Sequence, residues 1–175
     1  GMGAYSPAPV VSPEIHQRIM QEVINPTVNG MAAEGNTYVG FLYAGLMINS
    51  DGDPKVVEFN CRFGDPEAQP VMMRLQSDLV DLCQTALKGE LERATIDFDS
   101  RPAVGVVLAA GGYPASYEKG KIINGLDTSQ NSDNKIFHAG TAIKNGDIVT
   151  NGGRVLCATS VGDTVTAAQQ LAYKL

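Results

Sequence analysis

The chain has 175 residues, of which 43% are hydrophobic and 18% charged, and its formal net charge is −6. These proportions describe a globular chain that can bury a core, and they exclude an intrinsically disordered one. The negative charge argues against a general nucleic-acid binder, which needs clustered lysine and arginine. No apolar run approaches the roughly 18 residues of a membrane span. Three scattered cysteines indicate free thiols in a reducing compartment, so we expect a cytoplasmic protein.

Capping residues and apolar stripes at helical spacing predict three helices in the first half of the chain. They cover 12–33 with a kink at Pro26, a stretch that begins at Asp65 or nearer Gln69, and 77–89. Between the first two helices, apolar runs flank the turn residues NSDGD, and this pattern predicts a β-hairpin of 38–48 and 55–61. Residues 91–101 are charged and lack helical periodicity, so we interpret them as a connection.

The second half has the pattern of a small, mostly antiparallel sheet with one helix packed on it. Strands are predicted at 103–110, 135–143, 147–150 and 154–161. A terminal helix begins at Asp163-Thr164 and continues to the last residue without a stop signal, so we expect the chain to be truncated there. The predicted fold class is therefore α+β, with one domain over 1–90 and a second over 102–175.

The return strand of the hairpin, within VEFNCRFGDPE at 57–67, carries candidate ligands at every second position. Because strand side chains alternate between faces, Glu58, Asn60 and Arg62 are expected to share one face. The intervening side chains are expected to point into the core: Val57, Phe59, Cys61 and Phe63.

This row of polar side chains allows two interpretations. A carboxylate and an amide oxygen suit Mg²⁺, which keeps waters and substrate phosphates in its shell. An arginine beside them can hold a phosphoryl or carboxylate group. The same alternation is also the ordinary polar face of a surface strand, so the pattern alone leaves both interpretations open.

Longer motifs carry a resemblance to a known family. In chain order they are GMGAYSPAPV at 1–10, YVGFLYAGLMI at 38–48, VVEFNCRFGDPEAQPVM at 56–72, SDLVDL at 77–82, GGYP at 111–114, YEKG at 117–120, INGL at 123–126, FHAGT at 137–141 and NGGRVL at 151–156. The chain resembles the glycinamide ribonucleotide synthetases, which are phosphoribosylamine–glycine ligases with an ATP-grasp fold. The resemblance implies the carboxyl half of an ATP-grasp domain followed by a small β-rich C-terminal domain.

The resemblance also implies a reaction and roles for particular residues. ATP, glycine and 5-phosphoribosylamine would give glycinamide ribonucleotide, ADP and phosphate through a glycyl-phosphate intermediate, a step of purine biosynthesis. Glu58 and Asn60 would hold Mg²⁺ or Mn²⁺ against the ATP phosphates, and Arg62 would be catalytic, stabilising the transferred phosphoryl group or the substrate carboxylate. Substrate binding would fall to Gly3, Tyr5 and Ser6 in a glycine-rich loop, and to Gly64 and Asp65.

Two departures from the family pattern limit what the chain is expected to do. The strand before the one that carries Glu58 and Asn60, FLYAGLMI, has no carboxylate, so the protein should supply only two metal ligands. The family also begins with a substrate-binding domain and a mobile lid whose lysine contacts ATP, and we expect both to be missing from this chain. We therefore expect a fragment that is inactive alone, with the missing N-terminal portion of the same enzyme as its partner.

Two alternatives to this function remain open. One is another ATP-grasp carboxylate–amine ligase or a biotin-dependent carboxylase, in which the residues after the Asn-x-Arg pattern would differ from FGDPE. The other is a non-catalytic binding or assembly domain, in which the polar row is only solvated surface.

Overall fold

The structure, a computed structural model, describes residues 1–126 and 130–175, which form two compact units. The first unit contains Gly1–Ser6, Asp65–Gln76 and Asp97–Leu175, and the second unit contains Pro7–Gly64 and Ser77–Ile96. These units are interleaved along the sequence, so the predicted domain boundaries stay a prediction. No helix in the two described ranges is long and apolar enough to cross a membrane.

The elements are numbered in chain order. The strands are β1 (Gly3–Ser6), β2 (Tyr43–Ile48), β3 (Pro54–Asn60), β4 (Ala103–Ala109), β5 (Asn134–His138), β6 (Thr141–Lys144), β7 (Asp147–Thr150) and β8 (Arg154–Val161). The helices are α1 (Pro13–Ile19), α2 (Asn25–Ala33), α3 (Ala68–Arg74), α4 (Leu79–Leu87) and α5 (Val165–Ala172). A π-helical turn, Met20–Ile24, joins α1 to α2, and a 3₁₀ turn lies at Leu91–Arg93.

A four-stranded antiparallel sheet forms the core of the first unit, with the order β1-β4-β8-β5. Every residue of β8 after Arg154 is buried, so both faces of this central strand are covered. Helices α3 and α5 pack on the sheet. The small side chains Ala168 and Ala172, 0% and 2% exposed, let α5 approach it closely. The predicted antiparallel sheet with a packed terminal helix is confirmed.

The boundaries of this unit differ from the predicted ones at three places. The single strand predicted over 135–143 is divided into β5 and β6, because the chain bends at Ala139-Gly140. Helix α5 ends at Ala172 instead of reaching the last residue. Helix α3 begins at Ala68, which favours the later of the two predicted starting points.

The second unit contains the predicted helical segment and β2–β3 hairpin together with helix α4, and the helical segment contacts β3. Ser12 caps α1 by accepting a hydrogen bond from the Ile15 N–H at 3.3 Å. The irregularity expected at Pro26 takes the form of the π-helical turn before it. Asn25 donates to the carbonyl of Met20, five residues back. Pro26 follows directly; it has no N–H, and its ring clashes with the carbonyl four residues back in a regular α-helix. The hairpin begins at Tyr43, later than the predicted 38.

A β-bulge in the hairpin changes which side chains share a face. Gly45 pairs with Glu58, but the next pair is Leu46 with Val56, so Val57 is an extra residue on β3. The strict alternation assumed for this strand is therefore wrong on the N-terminal side of Glu58 and holds from Glu58 to Asn60. Val57 occupies the bulge and is 67% exposed, instead of pointing into the core.

The other apolar side chains of this stretch are not core residues either. Phe59 is 41% exposed and Cys61 is exposed, because the described residues of the second unit cover that face of the hairpin only in part. Phe63 is half-buried against Phe41, with the ring centroids 4.2 Å apart. The predicted core-facing set of Val57, Phe59 and Cys61 is thus wrong, and Phe63 is the member that packs.

Candidate active site

Glu58, Asn60 and Arg62 form a hydrogen-bonded row at the end of β3 in the second unit. Asn60 Nδ2 donates to Glu58 Oε1 at 3.0 Å, and Arg62 Nη2 donates to Asn60 Oδ1 at 3.1 Å. Arg62 Nη1 also donates to the main-chain carbonyl of Phe63 at 2.7 Å. Side chains bonded in series project to the same side of the hairpin, as alternation predicts for these three. We call them the metal row, after the role that the family resemblance implies for Glu58 and Asn60.

Gly45 leaves room for the carboxylate of the metal row. It lies opposite Glu58 across the hairpin, and a Cβ at this position would be 3.2 Å from Glu58 Cγ and 3.4 Å from Tyr43 Cε1. The Glu58 side chain therefore extends across a glycine beside an aromatic ring. Gly45 was not predicted as a site residue, because its importance depends on cross-strand register and leaves no local signal in the sequence.

The donor set of the metal row fits a hard divalent cation. Carboxylate and amide oxygens are the ligands that Mg²⁺ prefers, and Mg²⁺ commonly binds one or two protein groups plus water and phosphate. Glu58 is exposed and Asn60 half-buried, so a hydrated ion can reach both. Within residues 1–126 and 130–175, no group of three or more His, Cys, Asp or Glu side chains could hold a metal ion.

The candidate substrate residues Gly3, Tyr5 and Ser6 belong to β1 in the first unit, where a glycine-rich loop was expected. A Cβ on Gly3 would lie 2.9 Å from the carbonyl oxygen of Gly105, so the close approach of β1 to β4 requires glycine. Tyr5 is 49% exposed. Ser6 Oγ accepts a hydrogen bond from Arg74 Nη1 at 2.8 Å.

Arg74 holds Ser6 in place and was not predicted. Its Nε also donates to the carbonyls of Asp99 at 3.0 Å and Arg101 at 3.1 Å, and its guanidinium lies 5.6 Å from the Phe98 ring centroid. Burial lowers the pKa of Arg74, although an arginine remains charged at any physiological pH. The residue ties the stretch before β4 to the end of β1.

Gly64 and Asp65, the other two candidate substrate residues, are consecutive in the chain but belong to different units. Gly64 is buried in the second unit. Asp65 is exposed in the first unit, where its carboxylate accepts a hydrogen bond from Arg154 Nη2 at 2.7 Å. Arg154 lies in the NGGRVL motif and was not predicted as a site residue.

Two family models match most of the chain. The ATP-grasp (A) domain of phosphoribosylglycinamide synthetase matches residues 1–68, and the C domain of the same enzyme matches residues 103–175. The chain belongs to the phosphoribosylglycinamide synthetase family. The family predicted from the motifs is therefore confirmed, together with its ATP-grasp and β-rich C-terminal parts.

Individual relatives agree with the family models. The phosphoribosylamine–glycine ligase of Vibrio cholerae is 65% identical over 175 residues, which are 100% of this chain and 41% of that protein. The crystal structure of the phosphoribosylamine–glycine ligase of Thermotoga maritima superposes with a TM-score of 0.83 at 38% identity, covering 100% of this chain and 42% of that one. The chain thus spans less than half the length of the ligases that it matches.

A more distant likeness concerns the fold alone. The biotin carboxylase domain of Hydrogenobacter thermophilus 2-oxoglutarate carboxylase, in complex with MgADP and bicarbonate, superposes with a TM-score of 0.60 at 15% identity. The match covers 93% of this chain and 35% of that domain. At this identity the two chains share an architecture, and nothing about their chemistry follows from the superposition.

Proposed function

We propose that this chain is part of an ATP-dependent ligase that joins glycine to 5-phosphoribosylamine and forms glycinamide ribonucleotide, ADP and phosphate. The reaction belongs to purine biosynthesis, and we place the enzyme in the cytoplasm. The observation that carries the proposal is the metal row, found in a chain of the phosphoribosylglycinamide synthetase family. Phosphoryl transfer needs charge neutralisation and positioning more than covalent help from the protein, and this row offers both.

Each member of the metal row has a distinct part in the proposed chemistry. Glu58 and Asn60 hold Mg²⁺ or Mn²⁺ against the phosphates of ATP. When bound, the cation neutralises charge on the phosphate oxygens. Arg62 stabilises the γ-phosphoryl group as the glycine carboxylate attacks it, ADP leaves and glycyl phosphate forms. The amine of phosphoribosylamine then attacks the glycyl carbonyl, and phosphate leaves.

The substrate-binding part of the proposal concerns residues outside the row. Asp65 is exposed and offers a carboxylate, which complements the amino groups that glycine and phosphoribosylamine both carry. The exposed Tyr5 and the hydroxyl of Ser6 offer hydrogen-bonding groups. We assign Gly3 and Gly64 to the same function through their backbone, since neither has a side chain.

The two alternatives receive less support from the comparisons. The carboxylase superposes at 15% identity, whereas the Vibrio cholerae ligase is 65% identical. FGDPE also follows the Asn-x-Arg pattern without change, as the ligase resemblance requires. A non-catalytic domain would give the metal row no function beyond solvation. As part of the proposal, the 175-residue chain is inactive by itself and works with the remainder of the ligase.

A chimera tests the proposal: the Vibrio cholerae ligase with its matched segment replaced by this whole chain. The chimera should form glycinamide ribonucleotide from ATP, glycine and phosphoribosylamine, while the isolated chain should form none. Glu58→Gln should lower kcat/KM of the chimera by about a hundredfold or more, the usual loss when a stabiliser of transition-state charge is removed.

Glu92→Gln is the matched control, because Glu92 is an exposed carboxylate in the same unit and lies outside the row. It should leave kcat/KM unchanged. A folded chimera that forms no product would contradict the proposed function. So would a Glu58→Gln chimera as active as Glu92→Gln.

A further inference from the structure

Arg154, the first residue of β8, clamps Asp65 within the first unit. Its Nη2 donates to Asp65 Oδ2 at 2.7 Å, and its Nη1 donates to the main-chain carbonyl of Asp65 at 2.8 Å. The same Nη1 donates to the carbonyl of Gly1 at 3.2 Å. One guanidinium therefore fixes both the carboxylate and the backbone of Asp65 and ties them to Gly1.

The clamp orients Asp65 more than it stabilises the fold. The side chains of Arg154 and Asp65 are 26% and 51% exposed, and ion pairs that face water to this extent contribute little to stability. Orientation is different, because the planar guanidinium directs its donors along fixed lines. A lysine at the same position would offer a compact point charge without that geometry.

The backbone that carries Arg154 is itself held firmly. Gly140 N–H donates to the Arg154 carbonyl at 2.9 Å, and a Cβ on Gly140 would lie 2.6 Å from that oxygen. A Cβ on Gly153 would overlap the Tyr113 ring. The glycines of the FHAGT and NGGRVL motifs thus allow close packing around the start of β8. A side chain that projects from such a backbone is preorganised for its acceptors.

We propose that Arg154 is a positioning residue that presents the Asp65 carboxylate to the amino group of glycine or phosphoribosylamine. This inference rests on the proposed function, in which Asp65 binds substrate. Arg154 holds Oδ2 and the carbonyl, so Oδ1 is the oxygen directed to the substrate. Arg154 lies in the stretch that matches the C domain, and Asp65 lies in the stretch that matches the A domain. Substrate recognition by the A domain therefore depends on a side chain of the C domain.

The test measures KM values in the chimera defined above. Arg154→Ala should raise the KM for one of the two amino substrates by roughly tenfold to a hundredfold, as for residues that orient a ligand from behind. The KM for ATP should stay unchanged. Guanidinium ion added to the assay should restore part of the loss, which it could not do for a general defect in folding.

Arg101→Ala is the matched control for losing an arginine clamp from the first unit. The Arg101 side chain donates to the carboxylates of Asp99 and Asp133. In the described part of the chain it has no hydrogen bond to a candidate site residue. Its removal should leave every KM value unchanged. Arg154→Lys keeps the charge and is expected to fold, so it should raise the same KM as Arg154→Ala with a wild-type unfolding midpoint.

A double variant tests whether Arg154 acts through Asp65. Asp65→Ala removes the carboxylate, so adding Arg154→Ala should raise the KM no further. Additive effects, an equal rise in the KM for ATP, or wild-type KM values in both Arg154 variants would overturn the inference and leave the proposed function intact. A folded wild-type chimera without product would reject the proposed function, and the inference with it.

Discussion

The two units of the chain maintain their structure by different means. In the first unit, the central strand is buried from Val155 to Val161, and among the described residues every buried apolar side chain except Val23 belongs to this unit. Both units expose some large apolar side chains, such as Val57 at 67% and Leu87 at 81% in the second unit and Ile143 at 80% in the first, so the buried set is what distinguishes the units.

Because of this difference, the residues that determine the free energy of unfolding are expected to differ from those that determine the geometry of the metal row. The first unit depends on close packing, which a single methyl group can disturb. The metal row depends on two side-chain hydrogen bonds and on the cross-strand register of one hairpin. Substitutions of buried residues in the first unit should therefore change the free energy of unfolding, whereas substitutions on β2 opposite the metal row should change cation binding.

A pair of leucine substitutions gives the largest expected contrast. Leu156 is 5% exposed in a cluster with Ile136 and Val155, whereas Leu87 at the end of α4 is 81% exposed. Leu156→Ala should lower the free energy of unfolding by about 2–5 kcal/mol, because it leaves a cavity. Leu87→Ala should change it by no more than about 0.5 kcal/mol. Urea denaturation of the isolated chain measures both, and equal losses would show that burial does not distinguish the units.

Substitutions of two glycines, one in each unit, test the same difference in packing. A Cβ on Gly140 would lie 2.6 Å from the Gly152 Cα, whereas Gly30 in α2 has nothing within 4 Å of that position. Gly140→Ala should destabilise the chain by about 3 kcal/mol, since backbone has to move. Gly30→Ala should stabilise the chain by up to about 1 kcal/mol through its better helix propensity. Thermal unfolding midpoints report both changes, and a neutral Gly140→Ala would contradict the close packing described for the first unit.

Gly45→Ala should affect cation binding with little effect on folding. The new methyl group would meet Glu58 Cγ at 3.2 Å and displace the carboxylate. The concentration of Mg²⁺ or Mn²⁺ that gives half-maximal activity in the chimera should rise roughly tenfold. Gly30→Ala serves again as the control and should keep the wild-type value. An unchanged cation dependence in Gly45→Ala would mean that the glycine is not needed to place Glu58.

The smallest expected effects concern acid stability, since in each unit an arginine lowers the pKa of an aspartate. Hydrogen bonds from Arg101 lower the pKa of Asp99 in the first unit, and hydrogen bonds from Arg18 lower the pKa of Asp53 in the second unit. The unfolded chain then takes up the proton first, so each arginine–aspartate pair stabilises fully above about pH 4, and this contribution is lost as pH falls through the lowered pKa.

Substituting the aspartates tests this sign. Asp99→Asn and Asp53→Asn should each make the free energy of unfolding fall less steeply with acid below about pH 4. Denaturant titrations at a series of pH values measure the slope, with Glu92→Gln as the exposed control. A steeper slope in either variant would contradict the assigned direction.

Local signals in the sequence accounted for much of the fold. The Ser12 cap, the turn residues of the hairpin and the apolar run of β4 each act within a few residues, so α1, β2–β3 and β4 were predicted near their observed positions. Strand β1 was missed, because four residues carry too little pattern and its partner β4 is distant in the chain. The bulge at Val57 was missed for a related reason, since register is a property of two strands.

The candidate site was predictable to the same degree. The alternation of side chains along a strand was enough to predict that Glu58, Asn60 and Arg62 lie on one side of the hairpin. The clamp between Arg154 and Asp65 joins residues 89 positions apart, and no spacing in the sequence marks such a contact. Motifs indicated that NGGRVL belonged to the family, and only the fold connected its arginine with a candidate substrate residue.

Anomalous diffraction from Mn²⁺ in crystals of the chimera with ATP would test most directly whether the metal row holds the cation. The expected result is an anomalous peak that lies about 2.0–2.2 Å from a Glu58 carboxylate oxygen and from Asn60 Oδ1, the distance at which a small hard cation binds oxygen. A peak that contacts neither residue, in crystals where ATP is bound, would contradict the assignment of the row as the metal site.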